Sequence, residues 1–287
     1  MPNLAQTKMT GDEMIAFLRS HSEYAETVKH SYLGPNLQED AGRFLGSAEF
    51  GEVLRCIGPT GAHGRVLDLG AGRGMATYAF AKSHSRMVYA LEPDPSDELG
   101  YGALRRLMGN LPYELLACYG EDIPLPDGSV DVVYGRQVLH HAKDLRSMVR
   151  ECARVLVDRG VFLACREHVV DDDRQKEVFL RQHATHKYVG NENARQLSEY
   201  VEAISAAGLD IQKVWGPWDT IINAFPAAQT VDELRNYPTL LLRRRFPQLG
   251  SMLAKIPGML WMYEKRLNRA WPGRLYSFLA TKATANR

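Results

Sequence analysis

Four cysteines in 287 residues (Cys56, Cys118, Cys152 and Cys165), none in a CxxC pair, are too few and too scattered for a disulfide framework or a thiolate metal site. Cys118 and Cys165 fall in apolar runs, which predicts buried free thiols and suits a reducing cytoplasm. No apolar run approaches the roughly 18 residues that cross a bilayer. The start, MPNLAQTKMTGDEM, lacks the apolar core of a secretory signal, so a cytoplasmic location is expected. Net charge is only +1, so there is no excess of one sign to mark a nucleic-acid partner, and none is expected. Internal repeats and low-complexity segments are missing too. What remains is 45% hydrophobic and 24% charged, an ordinary globular composition.

The order of the segments is informative. Residues 10–30 read as one helix: Thr10 and Glu13 have capping-box spacing, and Met14, Phe17, Leu18, His21, Tyr24, Ala25 and Val28 keep helical spacing. A looser stretch with Gly34, Pro35 and Gly42 leads to a helix near 47–57. From residue 65 the pattern alternates. Strand-like runs at 65–69, 87–91, 114–118, 130–134 and 160–166 are separated by helix-like runs at 73–84, 96–109 and 144–156. Such alternation predicts an α/β fold with a mainly parallel sheet covered on both faces. A helix at 194–207 stops at Gly208, a left-handed cap, before strands at 209–215 and 275–281. The intervening residues 218–272 are too many for a bare loop. There Leu253, Ile256, Leu260, Tyr263 and Leu267 keep helical spacing, so a helical insertion is expected.

The stretch VLDLGAGRGMATYAFAK, 66–82, runs from strand into glycine turn into helix. Backbone N–H groups and a helix N-terminus then face a ligand, and ligands in such sheets bind beyond the C-terminal strand ends. A strand-to-helix turn also uses glycine for purely structural reasons. Glu92 ends the next strand about 20 residues on, where an acid can accept ribose hydroxyls. Gly70-Ala-Gly72-Arg-Gly74 departs from the G-x-G-x-x-G of dinucleotide loops.

The motifs VLDLGAGRG, ALEPD, EDIPLPDGSVDVVYGRQVLHH and RECARVLVDRGVFLACREH, over about 64–166, resemble those of class I S-adenosylmethionine-dependent methyltransferases, in particular the quinone C-methyltransferase and small-molecule subgroup. The resemblance implies a Rossmann-like, seven-stranded sheet of order 3-2-1-4-5-7-6 with the last strand antiparallel. It implies S-adenosyl-L-methionine as cofactor, its methionine end on Asp68, Gly70, Ala71 and Gly72, and its ribose on Glu92. Pro93, Gly120 and Glu121 would lie against adenine, and Arg136 would close over the cofactor. Cys118-Tyr119-Gly120 stand where the family often has Gly-Asp-Ala, which leaves Tyr119 or Asp122 to meet the adenine amine. It divides the chain into a helical cap at 1–60, a cofactor domain at 61–217 and 273–287, and the insertion at 218–272 over the acceptor site.

Methyl transfer needs the nucleophile positioned and, where it is weakly acidic, a base. His140, His141 and His168 follow strands on the ligand side and are expected on one rim as candidate bases, with His183 and His186 further along. Each is also readable as a structural histidine. His183-x-x-His186 with Glu167 and His168 matches no metal motif, so no metal is expected. Residues 226–275 carry nine Lys and Arg against three Asp and Glu, a net +6, with Arg243, Arg244 and Arg245 adjacent and aromatics nearby. That segment is a candidate for an anionic or lipid-linked small-molecule acceptor, for peripheral membrane contact or for contact with nucleic acid, and the reading as a solvated basic face is preferred. Two other readings of the chain are a nicotinamide-dependent oxidoreductase and a non-catalytic protein that keeps a nucleotide fold.

Overall fold

The computed structural model describes residues 8–284 apart from 84, 191 and 270. Its sheet is built from β1 (Arg65–Leu69), β2 (Met87–Leu91), β3 (Glu114–Leu116), β4 (Val130–Arg136), β5 (Leu156–Val170), β6 (Arg195–Gln196), β7 (Leu209–Trp215) and β8 (Arg274–Lys282). The order is β3-β2-β1-β4-β5-β8-β7, with the two-residue β6 beside the end of β5. β1 to β5 run parallel, and β8 lies antiparallel between β5 and β7. Apart from β6, which adds an eighth strand, this is the topology expected from the motifs.

Helices precede and flank the sheet: α1 (Gly11–Ser20), α2 (Ala25–His30), α3 (Leu37–Leu45), α4 (Ala48–Ala62), α5 (Met75–Lys82), α6 (Tyr101–Met108), α7 (Leu145–Val155), α8 (Asp173–Gln182), α9 (Ala184–Tyr188) and α10 (Leu197–Ala206). Between β7 and β8 come α11 (Ile221–Ala224), α12 (Val231–Arg245), α13 (Gly250–Leu253) and α14 (Met259–Arg269). Successive side chains of a strand point to opposite faces, so each parallel strand feeds two cores. Leu67, Leu69 and Val133 pack with Val149 and Cys152 of α7 and Ile204 of α10. Val66, Val88 and Val132 pack on the other face with Phe50 and Val53 of α4 and Phe80 of α5.

Several expectations are corrected. The helix expected over 10–30 breaks after Ser20, whose hydroxyl bonds back to the Phe17 carbonyl, and a 3₁₀ turn at Ser22–Tyr24 joins α1 to α2. The stretch around Gly42 is helical. Asn36 caps α3 by accepting from the N–H groups of Gln38 and Glu39, Phe44 and Ala41 face inward, and Gly42 faces open space. The apolar spacing from Leu253 to Tyr263 is interrupted at Pro257-Gly258, where Gly258 turns left-handed (φ +80°), so α13 and α14 are separate; the side chain of Leu267 lies outside the described residues. β3 stops at Leu116, leaving Cys118 half-buried in a loop. Among the described residues no helix is long and apolar enough to cross a membrane.

Candidate active site

Gly70, Gly72 and Gly74 all have positive φ (+67°, +52° and +88°), a region that side chains resist. The space around them is taken by protein. A Cβ on Gly70 would overlap Val138, one on Gly72 would come within 3.3 Å of the Leu99 carbonyl, and one on Gly74 within 3.0 Å of Leu104. The turn is held by Ala71 N–H on the Leu91 carbonyl (2.9 Å) and Gly72 N–H on Glu92 Oε2 (2.8 Å).

Two cavities share Gly70 as a wall. One, of about 140 Å³, is bordered by Asp68, Ala71, Arg73, Arg136, Tyr32 and Phe44. The other, of about 120 Å³, is bordered by Leu91, Pro93, Tyr119, Gly120, Glu121, Val138 and His141. Asp68, Gly70, Ala71, Pro93, Gly120, Glu121 and Arg136 therefore line two cavities that share Gly70, near the C-terminal ends of β1, β2 and β4. Gly72, Glu92 and Asp122 border neither cavity. Asp122 is exposed, so Tyr119 is the member of that pair beside the second cavity. A further cavity of about 320 Å³ is also bordered by Tyr32 and is lined by Lys29, His30, Arg43, Ser47, Phe225 and Pro226 among others.

Burial governs the charges here. Asp68 is 2% exposed; burial pushes its carboxyl up to about 7, against the pull of the hydrogen bond it accepts from Thr77 Oγ1 (2.6 Å). Burial also raises Glu92, partly offset by the N–H groups of Asp94 (2.9 Å) and Gly72 that its carboxylate accepts. Arg136 gives both arms to Glu49 of α4, at 2.7 and 3.2 Å, so its guanidinium is held at the cavity wall. Burial alone would lower its pKa, and the Glu49 carboxylate outweighs that and raises it. Arg73 donates to the carbonyls of Tyr32 (2.7 Å) and Gly34 (3.0 Å), which ties residues 32–34 over the glycine turn.

His140, His141 and His168 lie side by side, with ring centroids 4.2 Å apart for His140 and His141 and 4.9 Å for His140 and His168, and His141 is the one that borders the second cavity. His141, in the 3₁₀ turn Leu139–His141, is exposed beside the second cavity. His140 is 1% exposed, with Nδ1 donating to Glu167 Oε2 (2.6 Å) and Nε2 3.1 Å from Glu192 Oε1. Burial works against its charge, yet the two carboxylates outweigh burial and lift it to about 9. His168 is also buried; burial and the nearby His140 push it down to about 3, and its Nδ1–H donates to the Gly273 carbonyl (2.8 Å). His183 stands at the edge of the same cluster, Nδ1 3.3 Å from Glu192 Oε2. A β-bulge where β5 pairs with β8 places Arg166 at φ +61° just before Glu167 and His168. Glu192 carries no motif signal in the sequence, and only the fold brings it to these histidines.

A family model described as a methyltransferase domain matches residues 67–164, from β1 into β5. An uncharacterized methyltransferase of Bacillus subtilis (strain 168), YcgJ, is 30% identical over 163 residues, 53% of this chain and 60% of that protein. A probable S-adenosylmethionine-dependent methyltransferase of Mycolicibacterium smegmatis is 35% identical over 95 residues, 33% of this chain and 34% of that protein. The matched segment, residues 67–164, is a methyltransferase domain. The chain spans less than two thirds of the length of these curated relatives. Solved methyltransferases share its fold. The YcgJ crystal structure superposes with a TM-score of 0.51 at 22% identity, covering 83% of this chain and 99% of that one. Geranyl diphosphate C-methyltransferase from Streptomyces coelicolor A3(2), solved with Mg²⁺, geranyl diphosphate and S-adenosyl-L-homocysteine, gives 0.57 at 18% identity, covering 92% and 85%. S-adenosylmethionine is named for the Mycolicibacterium relative, and the residues here fit it: a buried carboxylate at Asp68 suits a cationic ligand, and two cavities that share Gly70 suit an elongated one.

Proposed function

We propose that the chain transfers a methyl group from S-adenosylmethionine to a small, anionic acceptor. The observation that carries this reading is Gly70, the shared wall of two cavities that lie over Asp68 on one side and Pro93 and Gly120 on the other. When bound, the cofactor supplies a methyl group on a sulfonium, already activated for in-line displacement. The protein's part is then to bind, orient and keep out water. Asp68, with Gly70 and Ala71, would hold the cationic methionine end, with Gly72 contributing turn backbone. Glu92 would turn part of its carboxylate to the ribose. Pro93, Tyr119, Gly120 and the backbone of Glu121 would border adenine. His141 shares that end, so it is assigned to the adenine wall rather than to proton removal. Arg136, fixed by Glu49, would form a wall of the methionine cavity rather than a moving lid.

The acceptor is assigned to the 320 Å³ cavity bordered by Tyr32. Lys29, His30 and Arg43 line it, which supports an anionic acceptor, and Phe225 and Pro226 line it from the 218–272 insertion. In this reading residues 1–60 and the insertion together form the acceptor site over the cofactor domain. The exposed Phe246, Met252, Trp261 and Trp271 near Arg243–Arg245 support a lipid-linked acceptor or contact with an anionic lipid surface.

The test is transfer of labelled methyl from S-adenosylmethionine into extract metabolites, followed by kinetics of Lys29→Gln on the acceptor found. The reading expects a KM for the acceptor raised several-fold with cofactor affinity unchanged. No labelled product in any fraction, or a variant that behaves as the parent, contradicts it.

A further inference from the structure

We propose that the chain holds one divalent transition-metal ion between His140, His168 and Glu192, with His183 completing the set. The ion would clamp together the ends of β4 and β5 and the segments around residues 183 and 192.

Geometry comes first. One donor atom from each of His140, His168 and Glu192 lies within 4.8 Å of the others, and all three residues are buried. His140 Nε2 is 3.1 Å from Glu192 Oε1, and His183 Nδ1 is 3.3 Å from Glu192 Oε2. Donors bound to one tetrahedral ion at about 2.0–2.1 Å stand about 3.3 Å apart, so these separations need little adjustment. The imidazoles meet edge to face, with ring centroids 4.9 Å apart for His140 and His168 and 5.3 Å for His168 and His183.

The orientation of each ring is set from behind. A carbonyl only accepts, so the His168 proton sits on Nδ1 against Gly273, and the Nε2 lone pair is left for the cluster. Glu167 accepts from His140 Nδ1 in the same way, and its carboxylate is itself fixed by the N–H groups of Val138, Leu139 and His140 at 3.0–3.1 Å. A carboxylate or carbonyl behind each ligating imidazole is how metal-binding histidines are oriented. His183 Nδ1 is buried and makes no hydrogen bond despite its nearness to Glu192.

Charge points the same way. Glu167 and Glu192 are buried together, and among the described residues their ion-pair partners are all imidazoles. A divalent cation with neutral imidazole ligands balances two buried carboxylates. Imidazole and carboxylate donors favour Zn²⁺, Fe²⁺ or Co²⁺ over Mg²⁺ and Ca²⁺. The site is separate from the two cavities at Gly70, although His141 borders the second of them and reaches to 3.8 Å from Glu192.

The experiment uses the full chain, stripped with a chelator and checked for native circular dichroism. Zn²⁺ is titrated in competition with a chromophoric chelator, and Co²⁺ is added separately to read its visible bands. Expected are one Zn²⁺ per chain, Co²⁺ bands of a four-coordinate nitrogen and oxygen site, and a melting temperature that rises with either ion. Glu192→Gln and His168→Gln should abolish these effects. Glu167→Gln, which only orients His140, should weaken Zn²⁺ binding by about 10–100-fold. If the buried variants do not fold, His183→Gln at the cluster's edge should still fold and alter the Co²⁺ bands. A folded parent that binds neither ion, or variants that bind as the parent does, overturns the proposal and leaves a metal-free hydrogen-bonded cluster.

Discussion

The carboxylate of Glu92, at the end of β2, accepts the N–H of Gly72 at 2.8 Å and so fixes the glycine turn to the neighbouring strand. The same carboxylate accepts Asp94 N–H at 2.9 Å. Hydrogen bonds to a charged acceptor contribute about 1.5–3 kcal/mol each. Glu92→Ala should therefore loosen the turn and weaken S-adenosylhomocysteine binding at least tenfold. Calorimetry on the variant measures this, and unchanged affinity would remove Glu92 from the site.

Gly70→Ala should destabilise the protein for two separable reasons. An L-residue at φ +67° is strained by about 1–2 kcal/mol, and its Cβ would overlap Val138. Adding Val138→Ala should recover the overlap and leave the strain. Melting temperatures of the three variants check this; a double variant no more stable than Gly70→Ala would mean that Val138 is not the obstacle.

Arg136→Ala would leave the fully buried carboxylate of Glu49 with only the weaker pairing to Arg166, whose Nε is 3.9 Å away. Removing one partner of a buried pair costs about 3–5 kcal/mol, because the remaining charge is uncompensated. Joint replacement of Arg136, Glu49 and Arg166 by methionine, which removes every charge of the buried group, should cost less per charge removed. Chemical denaturation of both variants decides the matter, and equal losses per charge removed would show that the group contributes through packing alone.

Asp68 links stability to pH. Its carboxyl is raised from 3.8 to about 7, mainly by burial. A raised folded-state value means that the fold prefers the protonated form. This group's contribution is thus intact below about pH 4 and is lost as pH rises through about 7, a cost on the order of a few kcal/mol at pH 8. Asp68→Asn should narrow the gap in melting temperature between pH 5 and pH 8. A gap as wide as the parent's would assign the pH dependence to other groups.

How far the sequence foretells the structure depends on whether a feature is local. Arg65–Leu69, Met87–Leu91 and Leu209–Trp215 are bounded by charge or glycine and match the expected strands residue for residue. Helix α3 is masked in the sequence because Gly34, Pro35 and Gly42 read as loop, although Asn36 followed by Glu39 is a helix-start signal. The break after Ser20 keeps the apolar spacing across it, so periodicity alone does not reveal it. The glycine turn was legible, but its neighbours Val138 and Leu99 were not, since they arrive from distant segments. His140 and His168 drew attention as possible bases, whereas Glu192, which joins them, lies far along the chain with no spacing to betray it.

The most direct test of the account is calorimetric titration of the protein with S-adenosylhomocysteine and, separately, with NAD. One S-adenosylhomocysteine per chain should bind saturably, with binding lost in Asp68→Ala, and NAD should give no heat of binding. Binding of NAD with no binding of S-adenosylhomocysteine would contradict it.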